Sequence, residues 1–144
     1  MKNKDSKFVL GHKITPLKVS GNYDLVLGET PAHVSGPPPH SHLGLEEVFL
    51  VTEGEMEFVI DGTTRTLKAG ESLDLPRGTV HTFRNISNTK CCWVNIHSPK
   101  GFLSFFEDIG ISTNEEDAIR RSVDQSIIDR VMATAANYDM HIKL

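Results

Sequence analysis

Between Tyr23 and His97 the chain is a succession of short β-type runs punctuated by Gly, Pro and Asp. This spacing restricts the middle of the molecule to an all-β sandwich or barrel. The segment FVIDGTTRTL sets Asp61-Gly62 between two such runs. Asp-Gly flanked by strands is the strongest short-range hairpin signal, so the two runs are expected as antiparallel neighbours. In CCWVNIH a period of two puts Cys92, Val94 and Ile96 on one face and Cys91, Trp93, Asn95 and His97 on the other. The wholly apolar set is expected to face the interior, which leaves Trp93 outside and in need of cover from the tail or from a second subunit. From Pro99 the pattern becomes helical. Phe102, Phe105, Phe106 and Ile109 gather on one side of a turn, Thr113 and Glu116 have the spacing of a capping box, and Ile119, Val123, Ile127 and Val131 recur every four residues. The division expected is a β-barrel over 1–98, N-terminal strand included, and a helical extension over 99–144 packed on it.

A length of 144 residues suits one domain. With 38% hydrophobic and 24% charged residues the composition is that of a soluble globular chain. Fifteen basic against 19 acidic residues give a net charge of −4 with no basic cluster, so no nucleic-acid surface is expected. The opening MKNKDSKFVL lacks the apolar core of a signal peptide, and no apolar run approaches the roughly 18 residues of a membrane span. A cytoplasmic location and no membrane partner are therefore expected. Cys91 and Cys92 are neighbours; on a strand they point apart and read as reduced thiols, not as a disulfide framework.

The chemistry concentrates in two segments. In PPPHSHLGLEEVFLVTEG, His40 and His42 stand two apart and share a strand face, where two imidazoles can hold one metal. Pro37, Pro38 and Pro39 each fix φ and aim the chain at that site. Glu47 follows as a third candidate ligand and shares its face with Phe49 and Val51, whereas Glu46 should point to solvent. In GESLDLPRGTVHTFRN, His81 comes after a Pro-x-Gly turn and aligns with Phe83 and Asn85, a fourth candidate. Buried imidazoles and a carboxylate need partners, and one divalent transition metal ion satisfies all four. Ligand type does not separate Mn, Fe, Co, Ni, Cu and Zn. Phe49, Met56, Phe58, Phe83, Val94 and Ile96 are expected to face inward, as core filling or as the wall of a pocket for an apolar or aromatic small molecule. Phe102, Phe105 and Phe106 are expected as a buried helical face with partial lid character. His12, His33, His97 and His141 lie outside both segments and receive no role.

These two segments resemble the two motifs of the cupin superfamily, small β-barrels that hold one metal ion. The first is His40, Ser41, His42, four residues, Glu47, six residues, Gly54; the second is Gly70, five residues, Pro76, Arg77, Gly78, two residues, His81, three residues, Asn85. The leading glycine of the first motif departs from the pattern, because its position holds Val34 and the nearest glycine is Gly36. Only fifteen residues separate Gly54 from Gly70, which implies a tight hairpin between the motifs. The tail stretches SPKGFLSFFEDIG and DRVMATAANYDMHI resemble the C-terminal segment of single-domain cupins related to flavonol (quercetin) dioxygenases. The resemblance implies an antiparallel cupin barrel in which His40, His42, Glu47 and His81 ligate the metal. It also implies a mononuclear dioxygenase acting on an aromatic or enolisable small molecule, with Glu47 able to take the substrate proton. A non-catalytic metal-dependent binding cupin is the alternative, and a sugar isomerase or epimerase is less favoured. Cupins commonly dimerise, and the strand around Lys7 to Leu17 is expected to pair across a homodimer interface.

Overall fold

A computed structural model describes residues 6–143; residues 1–5 of the expected barrel and residue 144 of the extension lie outside it. The chain opens with β1 (Lys7–Val9) and β2 (His12–Leu17). The single strand expected over Lys7 to Leu17 is thus a hairpin, turned at Leu10-Gly11 with φ of 49° and 87°. Next come β3 (Asp24–Thr30), β4 (His40–Ser41), β5 (Glu46–Glu53), β6 (Glu55–Ile60) and β7 (Thr63–Lys68). Asp61 and Gly62 join β6 to β7 with φ of 47° and 85°, the two left-handed residues of a type I′ turn. The barrel part ends with β8 (Ser72–Leu75), β9 (His81–Arg84) and β10 (Cys91–Ser98).

The tail supplies helix α1 (Leu103–Ile109), strand β11 (Ile111–Ser112), α2 (Ala118–Arg121), α3 (Gln125–Thr134), a 3₁₀ turn over Ala135–Tyr138 and strand β12 (His141–Ile142). Two antiparallel sheets result, ordered β11-β1-β2-β3-β10-β5-β8 and β12-β4-β9-β6-β7. The extension therefore adds a strand to each sheet. Because β11 pairs with the outer edge of β1, β1 lies inside the sheet and not at its edge. The expected capping box does not form: α2 starts after Asp117, itself at φ 55°. The four-residue recurrence is also broken, since Ser122 leaves the helix, donates to the Ile119 carbonyl and accepts the Gly11 N–H.

Strand β10 runs between β3 and β5 and turns its faces the opposite way from the expectation. Cys91, Trp93, Asn95 and His97 are buried, whereas Val94 and Ile96 lie half-buried on the outer face. The reason is that each polar member of the inner set has a partner. The Trp93 indole N–H donates to Thr30 Oγ1 at 2.9 Å, Asn95 donates to the Val48 carbonyl at 3.2 Å, and His97 lies between two carboxylates. Burial of satisfied polar groups costs little. Opposite Trp93 in register stands Gly28, where a Cβ would come 2.2 Å from the indole. The ring instead joins Phe49, Phe58 and Phe83 in an aromatic core with centroids 5.0–5.8 Å apart, within the range of favourable ring pairs.

Candidate metal centre

The chain enters the site through Pro37–Pro39, where a Cβ at Gly36 would stand 1.7 Å from the Phe83 carbonyl oxygen. A glycine is thus required two residues later than the leading glycine of the motif. His40 and Ser41 form β4, His81 opens β9 as its direct cross-strand partner, and Glu47 sits near the start of β5. The five-stranded sheet therefore carries two of the imidazoles and the seven-stranded sheet carries the carboxylate. His42 follows immediately after β4.

Each of the three imidazoles is oriented by a backbone carbonyl. His40 Nδ1 donates to Pro38 O at 2.8 Å, His81 Nδ1 to Thr79 O at 3.0 Å, and His42 Nδ1 to Asp139 O at 2.7 Å. Occupying Nδ1 with a proton leaves Nε2 as the lone-pair nitrogen, which is how outer partners fix a metal-ligating tautomer. The ligating nitrogens of His40, His42 and His81 lie within 4.8 Å of one another, and all three residues are buried. Glu47 Oε2 adjoins this triad, 2.8 Å from His81 Nε2 and 3.6 Å from His42 Nε2. Its other oxygen, Oε1, is 3.1 Å from His97 Nε2.

His42 Nε2, Glu47 Oε2 and His97 Nε2 are buried without an aligned hydrogen-bond partner. Such groups are rare in native proteins, and an ion at the triad would satisfy the first two. The donor set fits one divalent transition metal, with His40, His42 and His81 able to hold it and Glu47 placed to join them.

The electrostatics keep His40 and His42 neutral, as ligation requires, whereas for His81 burial is outweighed by the contact with Glu47, which raises its pKa above the ordinary value. Burial, reinforced by His81 nearby, pushes the His40 pKa down to about 3, so this ring is neutral. Burial likewise lowers His42. For Glu47 burial acts to raise the pKa, but contacts with His81 and His97 outweigh it and hold the carboxyl well below its usual range. His97 is pushed up to about 9: burial opposes its charge, and Asp24 and Glu47 on its two nitrogens overcome that.

Sequence reasoning missed His97, Asp24 and Asp139. His97 bridges Asp24 Oδ2, at 3.3 Å from Nδ1, to Glu47. Asp24 Oδ2 also accepts the N–H groups of Gly101 and Phe102, which ties the start of the tail to the site. The available signal for His97 was the polar face of CCWVNIH; nothing local marks Asp24 or Asp139.

Above the triad is a cavity of about 60 Å³. Phe49, Phe83, Trp93, Phe102, Phe105 and Phe106 supply its aromatic walls, and no Lys or Arg is among its lining residues. Of the six expected pocket residues, only Phe49 and Phe83 reach it. Met56 and Phe58 are buried behind, and Val94 and Ile96 lie on the far side of β10. Phe102 packs edge-on against His42 at 4.8 Å and His97 at 5.1 Å, so the tail aromatics are both core and roof. His12 also lines the cavity, His33 bonds Asn88 on the surface, and His141 contacts Asp139. Glu46 faces outward and pairs with Arg77 at 2.8 Å. Among the described residues no helix is long and apolar enough to cross a membrane.

Residues 26–97 match the family model described as the Cupin domain. Putative germin-like protein 3-2 of Oryza sativa subsp. japonica is 42% identical over 57 residues, 36% of this chain and 26% of that protein. The chain spans less than half the length of the curated relatives it matches. Among solved structures, KdgF from Halomonas sp. is similar with a TM-score of 0.61 at 21% identity, covering 67% of this chain and 86% of that one. A Cupin 2 conserved barrel domain protein from Salinispora arenicola CNS-205 gives a TM-score of 0.59 at 16% identity over 92% of both chains. The likeness to the Salinispora protein extends through most of the tail as well as the barrel. With half of its residues inside the family model and its two sheets superposable on cupin structures, the chain belongs to the cupin superfamily.

Proposed function

We propose that the protein is a mononuclear metal-dependent dioxygenase acting on an enolisable small molecule, as the tail's likeness to flavonol dioxygenases suggested. The observation that carries this reading is the placement of Glu47, with Oε2 at the histidine triad and Oε1 against His97. A bound redox-active ion would supply a Lewis acid and a meeting point for substrate and dioxygen. Glu47, whose Oε2 faces the triad, takes the proton of an enol or phenol hydroxyl: the substrate O–H bond breaks, the carboxylate gains the proton, and an electron-rich enolate remains. Phe49, Phe83, Trp93 and Phe102 exclude water from that anion. The absence of Lys and Arg among the cavity-lining residues disfavours a sugar-phosphate isomerase, whose substrate needs cationic partners.

The test is metal content per chain by mass spectrometry, with a His40→Ala/His42→Ala control, followed by oxygen uptake with flavonols and smaller enolisable compounds. Near-stoichiometric Fe, Mn, Co, Ni or Cu that is lost in the control, together with substrate-dependent oxygen uptake, is the expected result. Metal without uptake across the panel would replace this reading with the metal-dependent binding cupin. No metal after reconstitution would overturn both.

A further inference from the structure

The metal chamber, at about 60 Å³, is far smaller than the roughly 300–1,000 Å³ of ordinary small-molecule sites. A second cavity of about 510 Å³ lies between α3 and residues 34–38. Leu10 and Pro37 line both spaces, so the two cavities adjoin at these residues. The larger cavity has Val34, Val123, Ile128 and Met132 in its walls and no charged residue among those that line it.

Leu10 is unusual in its own right. It holds φ 49° at the first position of the β1–β2 turn, where Asn, Asp or Gly normally bear the left-handed conformation. Nothing in its own chemistry favours that backbone, and strain of this kind persists only where the surroundings impose it. The surroundings do so here. The Gly11 N–H donates to the buried Ser122 Oγ at 3.0 Å, in the break between α2 and α3. A Cβ at Gly11 would stand 3.1 Å from Val34 Cγ1 and 3.4 Å from Val123 Cγ1, so the turn is seated between both walls of the larger cavity. A strained leucine is thereby fixed where the two spaces meet.

We infer that the cavity under α3 is a binding site for the apolar body of an amphiphilic substrate whose small metal-chelating head passes Leu10 and Pro37 into the metal chamber. The inference rests on the metal-centre reading above and names the substrate class: a compact enol or enolate head on an uncharged flat or linear hydrocarbon body. The two volumes divide the molecule in that way, since the chamber accommodates only the reacting group.

The test uses straight-chain hydroxamic acids, from acetohydroxamic to octanohydroxamic acid, titrated calorimetrically into full-length protein loaded with Ni(II). Each buried methylene adds roughly three- to fourfold in affinity, so with part of the chain buried the C8 acid is expected to bind at least about tenfold tighter than the C2 acid. In Val123→Trp, or in Met132→Trp should the first variant fail to fold, the C8 to C2 affinity ratio is expected to fall close to one. Both positions are more than 40% exposed, so the larger ring fills the groove without entering the core. A ratio near one in the native protein, or a rise that survives both substitutions, would overturn the inference while leaving the metal centre standing. Failure of acetohydroxamic acid itself to bind would instead show that the loaded ion leaves no position open to a chelating head, and would overturn the dioxygenase reading and this inference with it.

Discussion

His97 is held between two carboxylates, Asp24 on Nδ1 at 3.3 Å and Glu47 on Nε2 at 3.1 Å, and so controls which Glu47 oxygen reaches the triad. Outer partners of this kind typically change metal affinity 10–100-fold. His97→Phe is expected to weaken metal binding by about that factor and His97→Gln by less, measured by competition against a fluorescent chelator. Equal affinity in all three proteins would make His97 a packing residue. His12 belongs to a different argument. Its Nε2–H donates to Ser35 O and its Nδ1 meets the Thr30 hydroxyl, so the structure uses the neutral ring, and burial lowers its pKa to about 4. The unfolded ring, at its ordinary 6.5, takes up the proton first as pH falls. The stabilisation is therefore complete above about pH 6.5 and is lost progressively between 6.5 and 4, the loss reaching about 2 kcal/mol by pH 5. Urea titrations of metal-free protein at pH 7.5 and 5 are expected to show His12→Asn losing about 2 kcal/mol less than the native chain across that interval. Equal losses would place the His12 proton affinity near its unfolded value.

Among the elements, the segment around β12 is the one that converts a helical tail into part of the site. Asp139, at φ 59°, accepts the Leu43 and Gly44 N–H groups on its carboxylate at 2.9 and 2.7 Å while its backbone carbonyl orients His42. Asp139→Ala removes two hydrogen bonds to a charged acceptor and loosens the loop that carries His42. A loss of about 2 kcal/mol in stability and of roughly tenfold in metal affinity is expected, read by denaturation and chelator competition; an unchanged affinity would show that His42 is held without the tail. Local sequence made some elements legible and left others hidden. Asp61-Gly62 announced its turn because its residues suit left-handed φ, whereas Leu10-Gly11 hid a turn in a leucine that does not. His40, His42, Glu47 and His81 were readable because each lies inside a short motif. The Asp24 and Asp139 contacts were not, since they span 73 and 97 residues and nothing local records such a separation. Hydrophobicity alone assigns the faces of β10 the wrong way round, because Trp93, Asn95 and His97 find polar partners inside.

At the scale of the whole molecule, the candidate ligands join parts of the chain that otherwise meet through the shared aromatic core. His40 and His81 belong to the five-stranded sheet, Glu47 to the seven-stranded sheet, and His42 is oriented from the tail. An ion held by the triad and joined by Glu47 would act as a cross-link between both sheets, with the extension attached through Asp139 and, by way of Asp24, through Gly101 and Phe102. An ion that binds only the folded chain stabilises it by about 4 kcal/mol at a thousand times its Kd, which in a domain of this size raises Tm by roughly 10 °C. Because the cross-link touches both sheets, that rise should appear in one cooperative transition and not as protection of the tail alone. Calorimetry before and after chelator treatment is expected to show a single peak displaced downward on metal removal, with His40→Ala/His42→Ala insensitive to chelator. A separate low-temperature transition for the extension, moving with metal while the barrel stays fixed, would show instead that β11 and β12 are laid on a barrel that folds without them.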